Sequence, residues 1–389
     1  MSPALAPVAE TRARAWSRSA AVDFFRGLGL WAVYLDHINP NILAHFTPWR
    51  FGFSDFAEIF VFLSGFIGIA SYQRAFEAGK PAAVPKKLAR RIGRLYVAHI
   101  VSLFSAMVLL GLLARHGIRV DDTELYEWMQ DPARYALRVV TLTWAPVAFS
   151  LLPLYIVISP ILLLATIGLR RAPQLTLSLS AALWLACQVP AMDARITLPV
   201  LFLHPLAWQF LFVLGATARF YSGRVREFAL KPWVMRTAIV IVAGSLVLRC
   251  LSLIHHVVSL VPDPQWIPGT VVGKEHLAFY RLFHLLALAV VVHAWATLRG
   301  LKFQSGFARA VAACGADSLV IYCIILVLDI AASLVLTVAH PGVLLEVQLS
   351  LCGLALVSGI AWLRKGRNQR VVPLDRSEAR DLTGVARLT

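Results

Sequence analysis

The stretch VDFFRGLGLWAVYLDHINPN, residues 22–41, decides how the chain is read. It is close to the roughly 20 mainly apolar residues that a helix needs to cross a bilayer. It also carries Asp23, Arg26, Asp36 and His37. Each ionisable group inside a span costs roughly 2.5–3.5 kcal/mol to insert, so such groups mark working sites by default. Arg26 and His37 are eleven residues apart. At about 100° per residue they return to within roughly 20° of one helix face, roughly 16 Å apart along the axis. Leu30 and Val33 fill the stripe between them. Asp23 lies one turn before Arg26 and can pair with it. Asp36 points about 100° away from His37, a poor direction for orienting the imidazole. The bland readings are an interhelical hydrogen bond for His37 and a snorkelling side chain for Arg26.

The rest of the sequence places this stretch in a membrane. Of 389 residues, 59% are hydrophobic and only 15% are charged, against about 45–50% and about 25% in soluble domains. The net charge of +16 then calls for a lipid bilayer as partner before a nucleic acid. Candidate spans fall at 20–43, 54–73, 95–114, 145–169, 174–191, 200–219, 234–256, 276–298, 311–338 and 343–363. With both termini cytoplasmic, the inside segments hold about 27 of the 37 Lys and Arg residues, which is the positive-inside bias. The sequence therefore predicts an all-α polytopic membrane protein of about ten transmembrane helices. Residues 1–19 form a cytoplasmic segment without a signal-peptide core, 20–365 the transmembrane domain, and 366–389 a polar tail expected to be disordered. Cys187, Cys250, Cys314, Cys323 and Cys352 all lie in apolar runs, at no spacing that suits a metal.

Two outer loops have a character of their own. Segment 115–143 holds Asp121, Asp122, Glu124, Glu127 and Asp131 with Tyr126, Trp128 and Tyr135. Segment 257–275 holds Asp263, Gln265, Trp266, Lys274 and Glu275. Aromatic rings with carboxylates and amides suit sugars, and an interfacial aromatic belt explains them equally well.

The second span, SDFAEIFVFLSGF from Ser54, places Asp55 and Glu58 one turn apart near its outer end. Glu58 and Asp36 are candidates to orient or charge-balance His37, because a carboxylate commonly fixes an imidazole tautomer. Ser64, Asn39, Asn41, Trp208 and Gln209 are candidates for polar contacts to an acyl group or acceptor. Arg281 and His284, one turn apart, either line the acceptor side or pair with Asp317 or Asp329. Arg249 with His255 and His256 reads as an outer-interface cluster. In the inside loop PKKLARRIGRLY, residues 85–96, Lys86, Lys87, Arg90, Arg91 and Arg94 form a basic face. Arginine forks one turn apart suit a pyrophosphate or ribose phosphate, and anionic lipid headgroups are the alternative.

Arg26 followed after ten residues by His37, the FVFLSGF stretch at Phe60–Phe66, and Arg91-Ile-Gly-Arg94 resemble the transmembrane acyltransferase superfamily. More narrowly, DFFRGLGLWAVYLDHINPN, RRIGRLYVAH, LPLYIVISP, HPLAWQFLFVLG and KEHLAFYRLFHLLALA resemble the OpgC family over about residues 20–365. That family is credited with succinylating osmoregulated periplasmic glucans. The resemblance implies an enzyme of the bacterial inner membrane. Its donor would be acyl-CoA, in the form of succinyl-CoA, reached from the cytoplasm, and its acceptor a periplasmic glucan. It makes His37 the catalytic histidine, Arg26 its motif partner, and Arg91 and Arg94, with Arg90 and Lys87 beside them, the CoA phosphate ligands. The superfamily loop often continues to a proline, where this chain has Leu95-Tyr96. His37 can act as general base or carry the acyl group itself. The competing class is a proton-coupled carrier, since intramembrane Asp, Glu, His and Arg also build ion pathways.

Overall fold

A computed structural model of the protein describes residues 6–115, 128, 130–189, 201–257, 273–298, 305–339 and 342–371, and every regular element among them is helical. The order is α1 (Ala6–His37), α2 (Phe56–Glu77), α3 (Ala83–Arg115), α4 (Pro132–Val140), α5 (Leu151–Arg171), α6 (Pro173–Ala186), α7 (Pro205–Phe220), α8 (Ser222–Ala229), α9 (Pro232–Val257), α10 (Phe279–Leu298), α11 (Gly306–Ala316), α12 (Ser318–Ala339) and α13 (Val343–Val371). Pro132, Pro173, Pro205 and Pro232 open their helices, where the missing N–H would have had no partner anyway. Asp55 caps α2, accepting from the Ala57 N–H at 2.7 Å, while Glu58 reaches back to the Asp55 N–H at 2.9 Å.

Helices α2, α3, α5, α9, α10, α12 and α13 are long and apolar enough to cross a membrane. Along α3, Val97, Val101, Phe104, Val108 and Leu112 recur at three- and four-residue spacing and stay exposed, while Leu103, Ala106 and Leu110 are buried. A helix that is apolar on its outer face as well as its inner one belongs in lipid. Packing inside the bundle relies on backbone approach. A Cβ on Gly27 would lie 1.8 Å from the Val311 carbonyl oxygen, and one on Gly315 would lie 1.8 Å from that of Asp23, so α1 and α11 touch backbone to backbone. Gly65 and Gly215 do the same for α2 and α7, at 2.0 Å from the Phe212 and Phe62 carbonyl oxygens. Because lipid tails are as apolar as Leu, such small residues let membrane helices associate through close contact.

Four expectations change. Helix α1 stops at His37, and the rest of the stretch to residue 43 leads into 3-10 turns over Ile42–Phe46 and Pro48–Arg50. The basic segment 85–96 is helical, the opening turns of α3. The fifth and sixth spans are helices of only 14 and 16 residues, α6 and α7. The expected span 311–338 is two helices broken at Asp317, which leaves helical geometry and is held by Arg364. Helix α11 starts where Phe307 meets Trp31 edge-on at 5.4 Å and ends against Asp23. The chain then reverses, and α12 runs beside α1 from Arg26, which donates to Ser318, to His37, whose carbonyl accepts from Ser333 at 3.5 Å.

Asp121, Asp122, Glu124, Tyr126, Glu127, Asp263, Gln265 and Trp266 lie outside the described residues, as does the tail from residue 372. The side chains of His255 and His256 lie outside them too. Trp128 is buried against Trp144, with ring centroids 6.0 Å apart, and Tyr135 packs on Trp144 at 4.6 Å. Trp128 therefore serves the core rather than an open sugar-binding face.

Candidate active site

The helices α1, α2, α3, α5 and α12 enclose a cavity of about 390 Å³. Arg26, Arg91 and Arg94 line it with the hydroxyls of Ser64, Tyr155, Ser318 and Tyr322, and no carboxylate is among its lining residues. Each arginine arrives by a different local device. Arg91 donates to Ser64 Oγ at 2.7 Å and to Ser159 Oγ at 3.2 Å, and its guanidinium lies where a Cβ on Gly68 would stand, 2.9 Å away. Arg26 donates to Ser318 and lies 3.9 Å from Asp23. Arg94 is exposed, its Nε donating to the Arg90 carbonyl at 3.4 Å. Three guanidinium groups lining one cavity suit a polyanion, because planar forks match phosphate or carboxylate oxygens in pairs.

The sequence places Lys87, Arg90, Arg91 and Arg94 on one face, and the structure divides them. Arg91 and Arg94 reach the cavity; Arg90 is exposed outside it, and Lys87 donates to the Ser71 carbonyl at 3.0 Å. Arg26, expected somewhere along the donor's path, shares the cavity with Arg91. Tyr155, Ser318 and Tyr322 went unnoticed in the sequence, because a hydroxyl in an apolar run carries no charge signal.

At the far end of the same helix stands His37. Its Nδ1 is 2.7 Å from the Val33 carbonyl oxygen one turn earlier. A carbonyl only accepts, so Nδ1 carries the proton and Nε2 presents a lone pair. The side chain is exposed, so Nε2 is open to an approaching group. His37 is not among the residues lining the arginine cavity. The helix end around it is braced. Ser333 accepts from the Asn39 N–H at 3.1 Å, and Thr47 donates to Asp36 at 2.5 Å. Asn41 accepts from the Leu43 N–H and from Ser350, and donates to the Leu35 carbonyl.

The orienting carboxylate expected at Glu58 is thus replaced by a backbone carbonyl. Glu58 is 0% exposed, and both its oxygens are engaged: Arg281 Nε donates to one at 2.5 Å and the Asp55 N–H to the other at 2.9 Å. Arg281 also donates to Asp55 at 3.1 Å, and Lys274 pairs with Asp55 at 2.7 Å. Burial works to raise the Asp55 carboxyl, but Lys274 and Arg281 outweigh it and hold it well below the usual carboxylate range. Asp36 is likewise tied to Thr47. Arg281 therefore pairs across to α2 and not with Asp317 or Asp329. His284 accepts at Nδ1 from Ser54 Oγ at 2.6 Å, and Arg249 donates to the Gly52 carbonyl at 3.1 Å.

Several proposed substrate contacts are structural. Gln209 and Ser180 bond to each other twice at 2.7 Å, and the Trp208 indole donates to the Lys274 and Glu275 carbonyls. Asn41 is buried, and its amide serves the turn it caps. Asn39 is exposed just past the His37 end of α1, and Ser64 lines the arginine cavity. The sequence did hold a signal for the charge network: two carboxylates in the second span need cations, and KEHLAFYR supplies Lys274 and Arg281.

Comparison with known proteins gives one family. The model of the family described as OpgC protein matches residues 18–369, nearly the whole chain. No curated protein and no solved structure matches.

Proposed function

The chain belongs to the OpgC family, and from that premise we propose a membrane-embedded O-acyltransferase that moves succinyl from acyl-CoA to a hydroxyl of a periplasmic glucan. Family membership and the apolar helices make it a multi-pass membrane protein of acyltransferase type. In this reading the catalytic domain covers residues 20–365 and crosses the inner membrane about ten times, with both termini in the cytoplasm. The seven long apolar helices, with α1, α6 and α7, support that count, and the basic inner segments support the orientation.

One observation carries the chemistry: His37 is held with Nδ1 protonated and Nε2 free, its side chain exposed, on the same helix that carries Arg26 into an arginine-lined cavity. Acyl transfer to a hydroxyl needs a base for the hydroxyl proton, and a neutral imidazole suits it. The phosphates of the donor bind Arg91, Arg94 and Arg26, and its acyl end reaches His37 along the Leu30 and Val33 stripe of α1. The acceptor meets the acyl group at His37.

The test is purified, reconstituted protein given radiolabelled succinyl-CoA and glucan. Label on the glucan supports the enzyme. Substrate crossing the vesicle wall unmodified, with no label transferred, replaces it with a carrier.

A further inference from the structure

Between the arginine cavity and His37 the donor path follows apolar side chains, yet the pantetheine arm that would lie there carries amides. We propose that Tyr155 reads that arm, its hydroxyl hydrogen-bonding an amide between the pyrophosphate and the thioester. This rests on the acyl-transfer reading and adds a binding residue to its donor site.

The case begins with the hydroxyls of the cavity wall. Ser64 accepts from Arg91 at 2.7 Å, Ser318 accepts from Arg26, and the Tyr322 hydroxyl donates to the Ala148 carbonyl at 3.0 Å. Tyr155 lines the same cavity, half-buried, and its hydroxyl makes no hydrogen bond among the described residues. Nor is that hydroxyl sealed off by packing. A phenol between membrane helices normally finds a partner, because a hydroxyl left unpaired in apolar surroundings costs free energy. Here the open side is the cavity, so the missing partner belongs to whatever fills it.

The helix that presents Tyr155 also positions an arginine. One turn further along α5, Ser159 accepts from Arg91 Nε at 3.2 Å and donates to the Tyr155 carbonyl at 2.5 Å. Tyr155 and the residue holding Arg91 therefore share a face of α5.

Neighbouring contacts fix the level of the ring. Helices α2 and α5 run alongside in the same direction, with Leu162 against Gly68 and Arg170 over Phe76. That register brings Tyr155 level with Val61, next to Phe60. On α1, a Cβ on Gly29 would lie 2.8 Å from Phe56 and 2.9 Å from Phe60, so Leu30 belongs to the same layer. Leu30, Phe60 and Tyr155 all line the cavity. Arg26 lies one turn before Leu30, and Arg91 meets Ser64 one turn after Phe60. The guanidinium groups thus form one layer, and Tyr155 stands in the next layer towards His37. Phosphates suit the first, since guanidinium groups carry charge and only donate. An amide suits the second, since a phenol both donates and accepts.

Tyr155→Phe removes the hydroxyl and keeps the ring. In reconstituted full-length protein it should raise KM for succinyl-CoA about 2–12-fold, the range for one neutral hydrogen bond, with kcat and the melting transition unchanged. Two competitors divide the donor: pantetheine has the arm without phosphates, and the adenosine bisphosphate portion of CoA has phosphates without the arm. In Tyr155→Phe the inhibition constant of pantetheine should rise by the same factor as KM, while that of the bisphosphate stays at the wild-type value. Arg94→Ala should do the reverse. An unchanged KM overturns the proposal, as does pantetheine that fails to compete in the wild type. Weakened bisphosphate beside unchanged pantetheine also overturns it, by placing the hydroxyl on phosphate. A fall in kcat at constant KM does so too, because the hydroxyl would then act in the chemical step. Wild-type protein that transfers no label refutes the acyl-transfer reading itself; wild-type transfer beside a kinetically identical Tyr155→Phe refutes only the assignment of the tyrosine.

Discussion

Replacing Arg281 with methionine isolates the buried ion pair that joins α10 to α2. Glu58 has no exposure, and its only charged donor within hydrogen-bond distance among the described residues is Arg281 at 2.5 Å. Removing one partner of a buried pair leaves an uncompensated charge and costs about 3–5 kcal/mol, whereas replacing both by apolar groups of similar size is often neutral. Arg281→Met is therefore expected to lose about 3–5 kcal/mol, and Glu58→Met with Arg281→Met to recover most of it. The recovery will be incomplete, because Asp55 also loses its bond to Arg281 and keeps Lys274. Equilibrium unfolding in mixed micelles of the wild type, both single variants and the double variant gives the coupling as a cycle, expected at about 1–3 kcal/mol for residues in contact. A coupling indistinguishable from zero would refute the pairing and with it the explanation of why two carboxylates lie at the end of a membrane helix.

Other consequences follow from the same contacts. Arg94→Ala should raise the acyl-CoA concentration for half-maximal rate by about 10-fold or more, since a charged hydrogen bond is worth about 1.5–3 kcal/mol; Lys87→Ala, whose ammonium serves Ser71, should leave it near wild type in the same titration. Gly27→Ala should destabilise by more than the roughly 1–3 kcal/mol of ordinary overpacking, because its Cβ meets backbone at 1.8 Å; Gly93→Ala, with nothing within 4 Å, should be neutral or stabilising by thermal denaturation in detergent. Asp55 has its carboxyl held low by Lys274 and Arg281. Its contribution is present above the unfolded-state value near 3.9 and is lost only as pH falls through the lower folded value. Asp55→Asn removes the carboxylate that Lys274 and Arg281 share and should lower the thermal transition in detergent at pH 7; an unchanged transition would contradict the ion pair.

Composition and helical geometry made much of this legible in advance. The membrane setting, the common stripe of Arg26 and His37, and the pairing potential of Asp23 all follow from charge, hydropathy and 3.6-residue periodicity. The break at Asp317 was hidden because α11 and α12 are apolar over most of their length, and hydropathy cannot distinguish one long helix from a hairpin of two. Glycine placement held the clue, since Gly315 and Gly27 pack α11 against α1 only if the chain turns back. Glu58 was misassigned because depth along neighbouring helices was read as contact, while rotation about α2 turns it towards α10. The Val33 carbonyl could not be foreseen, as every residue offers one and only side-chain direction selects it.

The central claim is that His37 performs acyl transfer, and labelled transfer by the His37→Ala protein tests it most directly. With reconstituted protein, radiolabelled succinyl-CoA and glucan acceptor, the account predicts that membrane insertion and the melting transition are retained and that label on the glucan falls to background. Transfer at the wild-type rate by a folded His37→Ala protein would contradict it.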